Sequence, residues 1–243
     1  MAKRQPSARK VRLHQRDLEI LEFVLTRRIE TLDALTARYF NTKKRAYNRL
    51  GELARAGYLK RVPIDQDNRI TSAYHLGRSG PSALRLRSLA GDAVSHGPPV
   101  QTSFPHQLQV NRAADQLGVE LIAEGLLGCE HAARQHRPDG GYQARSADPD
   151  GRQLVLLEVD LGHYSRARVL GKTATFVEHP DARGVLFLTP SQGRADLIAR
   201  WIREAHGEAI MDRVQVLTFD ELAAGGLDHR LAPDSDGQIR LYA

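Results

Sequence analysis

Three carboxylates carry the most pointed chemistry in this sequence. Asp139 lies in Arg137-Pro138-Asp139-Gly140, and Glu158 and Asp160 lie in the run Leu154-Val155-Leu156-Leu157-Glu158-Val159-Asp160-Leu161. Leucine and β-branched residues in such a run predict a buried strand, whose side chains alternate between two faces. Glu158 and Asp160 then share one face, while Val155, Leu157, Val159 and Leu161 form the apolar other. Two ionised carboxylates at the end of a core strand repel each other unless a cation or a proton neutralises them. If Asp139 lies on a neighbouring antiparallel strand, the turn-rich stretch Ser146-Ala147-Asp148-Pro149-Asp150-Gly151 closes the hairpin and sets it opposite Glu158. Asp139, Glu158 and Asp160 would converge into an all-oxygen ligand set of the kind that suits Mg2+ or Mn2+. The plainer alternative is a structural ion network in which Glu158 and Asp160 pair with Arg137, Arg166 or Arg168. A network aims arginines at Glu158, whereas a metal site leaves three carboxylates facing one gap.

These residues need a scaffold, and the pattern after Phe104 provides one. It reads as helix (106–124), strand (129–135), strand (154–161), helix (164–178), strand (184–189), helix (194–205), strand (214–218) and a short last helix. Alternation of this kind predicts a mixed or parallel α/β sheet with helices on both faces. Glu120, on the first of these helices, either reaches the carboxylates or lies on the surface. His106 is a site residue, a cap or a packed side chain.

The residues before Phe104 read differently. Leu18, Leu21, Val24 and Leu25 recur at helical spacing from His14 onward. Thr31 is placed to cap a short second helix carrying Leu32, Leu35 and Tyr39. Asn41 or Thr42 opens a third helix, where Ala46, Leu50 and Leu53 form the apolar stripe and Gly57 marks the end. Two strand-like runs, 58–62 and 69–76, follow around Asp65-Gln66-Asp67-Asn68. Three helices and a hairpin make a winged helix-turn-helix, an α+β module whose third helix enters the DNA major groove. Lys43, Lys44 and Arg49 are suited to phosphate or guanine and Asn48 to adenine, with Arg45 and Tyr47 beside them. Lys60, Arg61 and Arg69 arm the wing. The alternative is a solvated cationic face without a ligand.

Charge separates the two parts. Residues 1–103 carry twenty Lys+Arg against nine Asp+Glu, a net +11, and residues 104–243 carry fifteen against twenty, a net −5. A basic module joined to an acidic domain predicts a polyanion-binding part and a separate second domain. The expected organisation is a basic arm (1–13), the winged module (14–90), a Gly-Pro linker (91–103) and the α/β domain (104–243). Cys129 is the single cysteine, so neither an intrachain disulfide nor a thiolate zinc site is expected. No apolar run approaches the roughly 18 residues that span a bilayer, which predicts a cytoplasmic protein.

Pro138-Asp139 followed by Glu158-Val159-Asp160 resembles the PD-(D/E)XK nuclease-like superfamily, whose second motif ends in lysine. Here Asp160 stands in that place. The resemblance implies that a lysine steadies the attacking water, and Lys172, on the helix after the strand, is the replacement. It is the sole lysine after residue 60 in a chain with twenty-nine arginines. The resemblance assigns Asp139, Glu158 and Lys172 to catalysis and Asp139, Glu158 and Asp160 to the metal. The chain also resembles the bacterial replication-relaxation family through His106-Gln107-Leu108-Gln109-Val110-Asn111-Arg112, Arg137 to Gly140, Glu158 to Asp160 and Lys172. That resemblance implies work on plasmids or mobile elements, in replication, relaxation, transfer or its control.

Two functions follow as expectations. One is a metal-dependent nuclease or nickase that the winged module delivers to double-stranded DNA. The other is a non-catalytic DNA-binding regulator or replication accessory protein whose α/β domain serves homodimerisation or docking of replication or transfer proteins.

Overall fold

The computed structural model describes residues 11–66, 69–85, 104–129, 136–146, 152–225, 230–233 and 239–240. The basic arm up to residue 10, the linker 91–103, the expected strand at 130–135 and the turn at 147–151 lie outside the described residues. The chain divides into two compact units, residues 1–108 and 109–243. Mixed α/β structure is present as the sequence predicts.

In the first unit, α1 (Gln15–Arg27), α2 (Leu32–Tyr39) and α3 (Lys43–Arg55) precede β2 (Leu59–Gln66) and β3 (Arg69–Leu76). Thr31 and Thr42 each cap the helix they open, accepting from Ala34 N–H at 3.1 Å and Arg45 N–H at 3.3 Å. Such caps fix where helices begin because the first-turn amides have no partner within the helix. Ile20, Leu21, Val24, Leu35, Ala46, Leu50 and Leu53 close into one core with Tyr74 of β3. A two-residue strand, β1 (Glu30–Thr31), adds to β3 to give the antiparallel order β1-β3-β2. The hairpin's other face, with Val62, Ile64 and Ala73, packs against Phe104. A short α4 (Gly80–Arg85) occupies the first part of the expected connector.

The second unit is a mixed sheet of order β10-β9-β5-β6-β7-β8, with β4 (Ile122–Ala123) also paired to β5. These strands are β5 (Gly140–Ser146), β6 (Arg152–Val159), β7 (Ala182–Thr189), β8 (Val214–Thr218), β9 (Arg230–Pro233) and β10 (Ile239–Arg240). β5 and β6 run antiparallel, while β6, β7 and β8 run parallel. Val155, Leu157 and Val159 face α5 (Phe104–Leu117) and α8 (Phe219–Gly225) through Val110, Ala113, Ala114 and Leu222. The opposite face packs Leu156 with Val169 and Phe176 of α6 (Arg166–Glu178) and Ile198 and Ile202 of α7 (Gln192–His206). Helices therefore cover both faces, as parallel strands require.

Two expectations change here. The predicted helix over 106–124 stops at Leu117, because Gly118 takes φ 64° and the amides of Gly118 and Val119 turn back to Asp115 and Ala114. Glu120 consequently sits on an exposed connector rather than on that helix. The strand that pairs with β6 is Gly140–Ser146, which is missing from the expected order of elements but is the neighbour that the Asp139 hairpin requires.

Candidate functional site: two charge clusters and an exposed helix face

β5 brings Asp139 to β6 as the hairpin argument predicts. Gly140 pairs with Leu157, the Asp139 amide donates to the Leu157 carbonyl at 3.1 Å, and Val159 N–H donates to Asp139 Oδ2 at 2.9 Å. Asp139 is thus held beside the end of β6.

Glu158 points into the face covered by α6 and is fully buried. Lys172 reaches it from α6: its Nζ donates to Glu158 Oε2 at 2.7 Å and to the Arg137 carbonyl at 2.5 Å, and it is itself 1% exposed. Gly171, next to Lys172, lies against the His136 ring, and a Cβ there would require that ring to shift. The lysine that the resemblance required is therefore brought beside Asp139 and Glu158. Burial, and then the neighbouring Asp139, push the Glu158 carboxyl well above the usual range, with Lys172 opposing them. Glu158 Oε1 and the Tyr164 hydroxyl are both buried, and the hydroxyl lies close enough to the Glu158 carboxyl to favour its ionised form. Burial raises the Tyr164 hydroxyl too, reinforced by Glu158 and Asp139.

Asp160 does not join them. Although β6 ends at Val159, the Asp160 amide still donates to the Leu188 carbonyl of β7 at 2.9 Å, and its side chain meets partners of its own. Asp160 Oδ1 accepts from the amides of Gly162, His163 and Tyr164 at 2.8, 3.0 and 3.3 Å. Its Oδ2 meets Arg194 of α7, whose Nε lies at 2.7 Å and whose Nη2 also donates to the Tyr164 carbonyl at 2.5 Å. Arg194 of α7 and Lys172 of α6 come from the two helices that cover the same sheet face, so Glu158 and Asp160 turn to one side as expected, but Arg194 and the loop amides take Asp160 out of the three-carboxylate set. Among the described residues no group of three or more His, Cys, Asp or Glu side chains is arranged to hold a metal ion. Two carboxylates, one already bonded to Lys172, do not reproduce the expected Mg2+ or Mn2+ ligand set.

The expected arginine network is also differently composed. Arg137 pairs with Glu124 at 3.9 Å, Arg166 with Glu204 at 3.0 Å, and Arg168 lies over the Tyr164 ring at 3.8 Å. Lys172 and Arg194 take the acids instead. Arg194 had no local signal, since 34 residues separate it from Asp160.

On α3, Lys43, Lys44, Arg45, Tyr47 and Asn48 are exposed, and Ala46, Leu50 and Leu53 are buried. Lys43 pairs with Asp33 at 2.6 Å in solvent. Lys60 and Arg61 are exposed on β2, and Arg69 is the first residue of β3. Arg49 departs from the expected row. It donates to both oxygens of buried Asp17, at 3.0 and 2.6 Å, and also to Glu52 and the Arg12 carbonyl. Burial works against ionised Asp17, but Arg49 and the His14 amide hold its carboxyl below the usual range. Arg49 is a tie between α1 and α3, a role that its position on the helix flank concealed. His106 lies in the first turn of α5, half-buried.

Among the described residues no helix is long and apolar enough to cross a membrane. A family model described as replication-relaxation matches residues 21–182, about two-thirds of the chain. No curated protein and no solved structure matches it significantly.

Proposed function

The chain belongs to the replication-relaxation family and so has a role in the replication or relaxation of a plasmid or mobile element; from that premise we propose that it acts by binding duplex DNA, as an accessory or regulatory protein. One observation carries this reading. The exposed side of α3 presents Lys43, Lys44, Arg45, Tyr47 and Asn48 together, on a helix whose other side is anchored in the core. A helix so fixed offers ammonium and guanidinium groups to phosphates and an amide to base edges. The basic balance of residues 1–103 favours the encounter.

The second unit supports a non-catalytic role. Glu158 and Asp160 are fully buried and each is already bonded to a cation of the chain. An architecture of this kind serves docking, of a second copy or of replication or transfer proteins. A metal-dependent nuclease is a second reading because Asp139 lies beside Glu158 and Lys172 reaches that carboxyl from α6.

Supercoiled plasmid incubated with the protein and Mg2+ or Mn2+ separates these readings, with Asp139→Ala and a chelator as controls. The expected result is intact plasmid, retarded in a gel by the wild type and by Asp139→Ala and less retarded by Lys44→Ala/Arg45→Ala. Each phosphate-binding cation removed by substitution should flatten the plot of log affinity against log salt by about 0.9. Metal-dependent nicking absent from Asp139→Ala would establish the nuclease instead. Plasmid that no protein retards would remove the DNA-binding proposal.

A further inference from the structure

Between α3 and the hairpin, three side chains form a chain of hydrogen bonds that neither packing nor capping needs. Arg61 lies on β2 opposite Tyr74 of β3, on the sheet face turned toward the helices. Its Nε donates to Ser72 Oγ at 2.9 Å and its Nη1 to the Tyr47 hydroxyl at 3.0 Å, while its guanidinium lies 5.0 Å from the Tyr47 ring centroid. Ser72 is buried, but Tyr47 is 46% exposed. Tyr74, buried on the same face, has a hydroxyl with no hydrogen-bond partner among the described residues.

Arg61 is thereby held at two points. A guanidinium that spends its Nε–H and one Nη1–H keeps N–H donors on Nη1 and Nη2 for a ligand, and a tyrosine that accepts from a guanidinium keeps its own O–H to give away. These donors belong to neighbouring groups, one cationic and one polarised by it. Two adjacent donors of this type match the paired oxygens of a phosphodiester. Fixing them before binding reduces the side-chain entropy lost on association.

We propose that Tyr47, Arg61 and Ser72 act as a single clamp for a DNA backbone phosphate, in which Tyr47 and Arg61 touch the phosphate and buried Ser72 is a positioning residue that sets the guanidinium. The inference rests on the DNA-binding reading and specifies one phosphate site within it. It separates α3 into Lys44, Arg45 and Asn48, which face the duplex directly, and Tyr47, which works through the wing.

The test uses the full chain, a mixed-sequence duplex and four variants: Tyr47→Phe, Ser72→Ala, Arg61→Lys and Lys44→Ala. Melting temperature is recorded beside affinity and salt dependence. Tyr47→Phe removes one oxygen from an exposed ring and leaves the fold intact, and it should weaken binding about tenfold, as loss of a hydrogen bond to a charged group does. Ser72→Ala should also weaken binding although it cannot touch DNA. Adding it to Tyr47→Phe should cost less than the product of the two effects, because they disable one device. Arg61→Lys keeps the charge and the salt slope yet loses affinity, since an ammonium cannot reproduce the fork. If the wild type binds, Lys44→Ala weakens binding, and Tyr47→Phe and Ser72→Ala match the wild type, the clamp is wrong and DNA binding stands. If the wild type does not bind duplex at all, both fail.

Discussion

The two units use charge in opposite ways. On α3, Lys44 and Arg45 stand in solvent while the apolar stripe holds the helix. On β6 and its following loop, Glu158 and Asp160 are fully buried, and each is matched by a cation from a different helix. A charge in water is inexpensive to hold and ready for a ligand, whereas a buried charge needs a partner and contributes to a fixed geometry. Arg49 shows both regimes within one helix. It lies four residues from Arg45, yet it is tied to Asp17 and unavailable to an outside partner. Helix position alone does not tell a recognition residue from a brace.

The largest effect should come from the buried pairs. Lys172→Met leaves Glu158 buried without its cation, and Arg194→Met does the same to Asp160, so each should cost about 3–5 kcal/mol in urea unfolding. The Lys172→Met loss should then depend on pH. A carboxyl whose folded pKa is raised stabilises the fold most below its ordinary value and loses that contribution as pH rises toward the folded value. Glu158 has its pKa raised by burial and by Asp139, so Lys172→Met should recover stability as pH is lowered toward 4.5. A Lys172→Met deficit that stays constant as pH is lowered would show that Glu158 does not rely on Lys172 for its charge.

A smaller effect tests the division within α3. Arg49→Ala leaves Asp17 in the core with its charge uncompensated and should lower stability by about 2–3 kcal/mol. Lys44→Ala should leave the melting temperature unchanged and reduce duplex affinity, while the more conservative Arg49→Lys should leave affinity near that of the wild type. An unchanged melting temperature in Arg49→Ala would return that residue to the DNA face.

The smallest effect is confined to acid. Burial raises and Arg49 lowers the Asp17 pKa, and the net shift is down from 3.8. A lowered carboxyl contributes fully above its ordinary value and loses that contribution as pH falls through the folded value. Wild-type stability should therefore drop below pH 3.8 more steeply than that of Asp17→Asn, in thermal melts at matched ionic strength. Parallel acid branches would show that Arg49 braces the helices by packing alone.

Much of this was legible along the chain because the signals are local. Thr31 and Thr42 marked helix starts, and Leu18, Leu21 and Leu50 marked buried faces. The run 154–161 announced its strand, and Pro138-Asp139-Gly140 set Asp139 opposite Glu158. Local periodicity and capping chemistry depend on neighbours within a few residues, and a sequence displays those neighbours directly. The lone late lysine, Lys172, was also identifiable, since the strand-to-helix connection returns α6 across β6.

What the tertiary structure alone decided is which charge meets which. Asp160 met Arg194, Arg49 turned to Asp17, and Arg61 joined Ser72 to Tyr47. Each pairing links residues eleven or more apart through elements that meet only after folding. A long cationic side chain has many acids within reach, and it is burial, by making an unpaired charge costly, that selects one. The sequence by itself determined the elements, their polar and apolar faces and the separation of a basic part from an acidic one. Packing determined which of those charges remain free to act on something else.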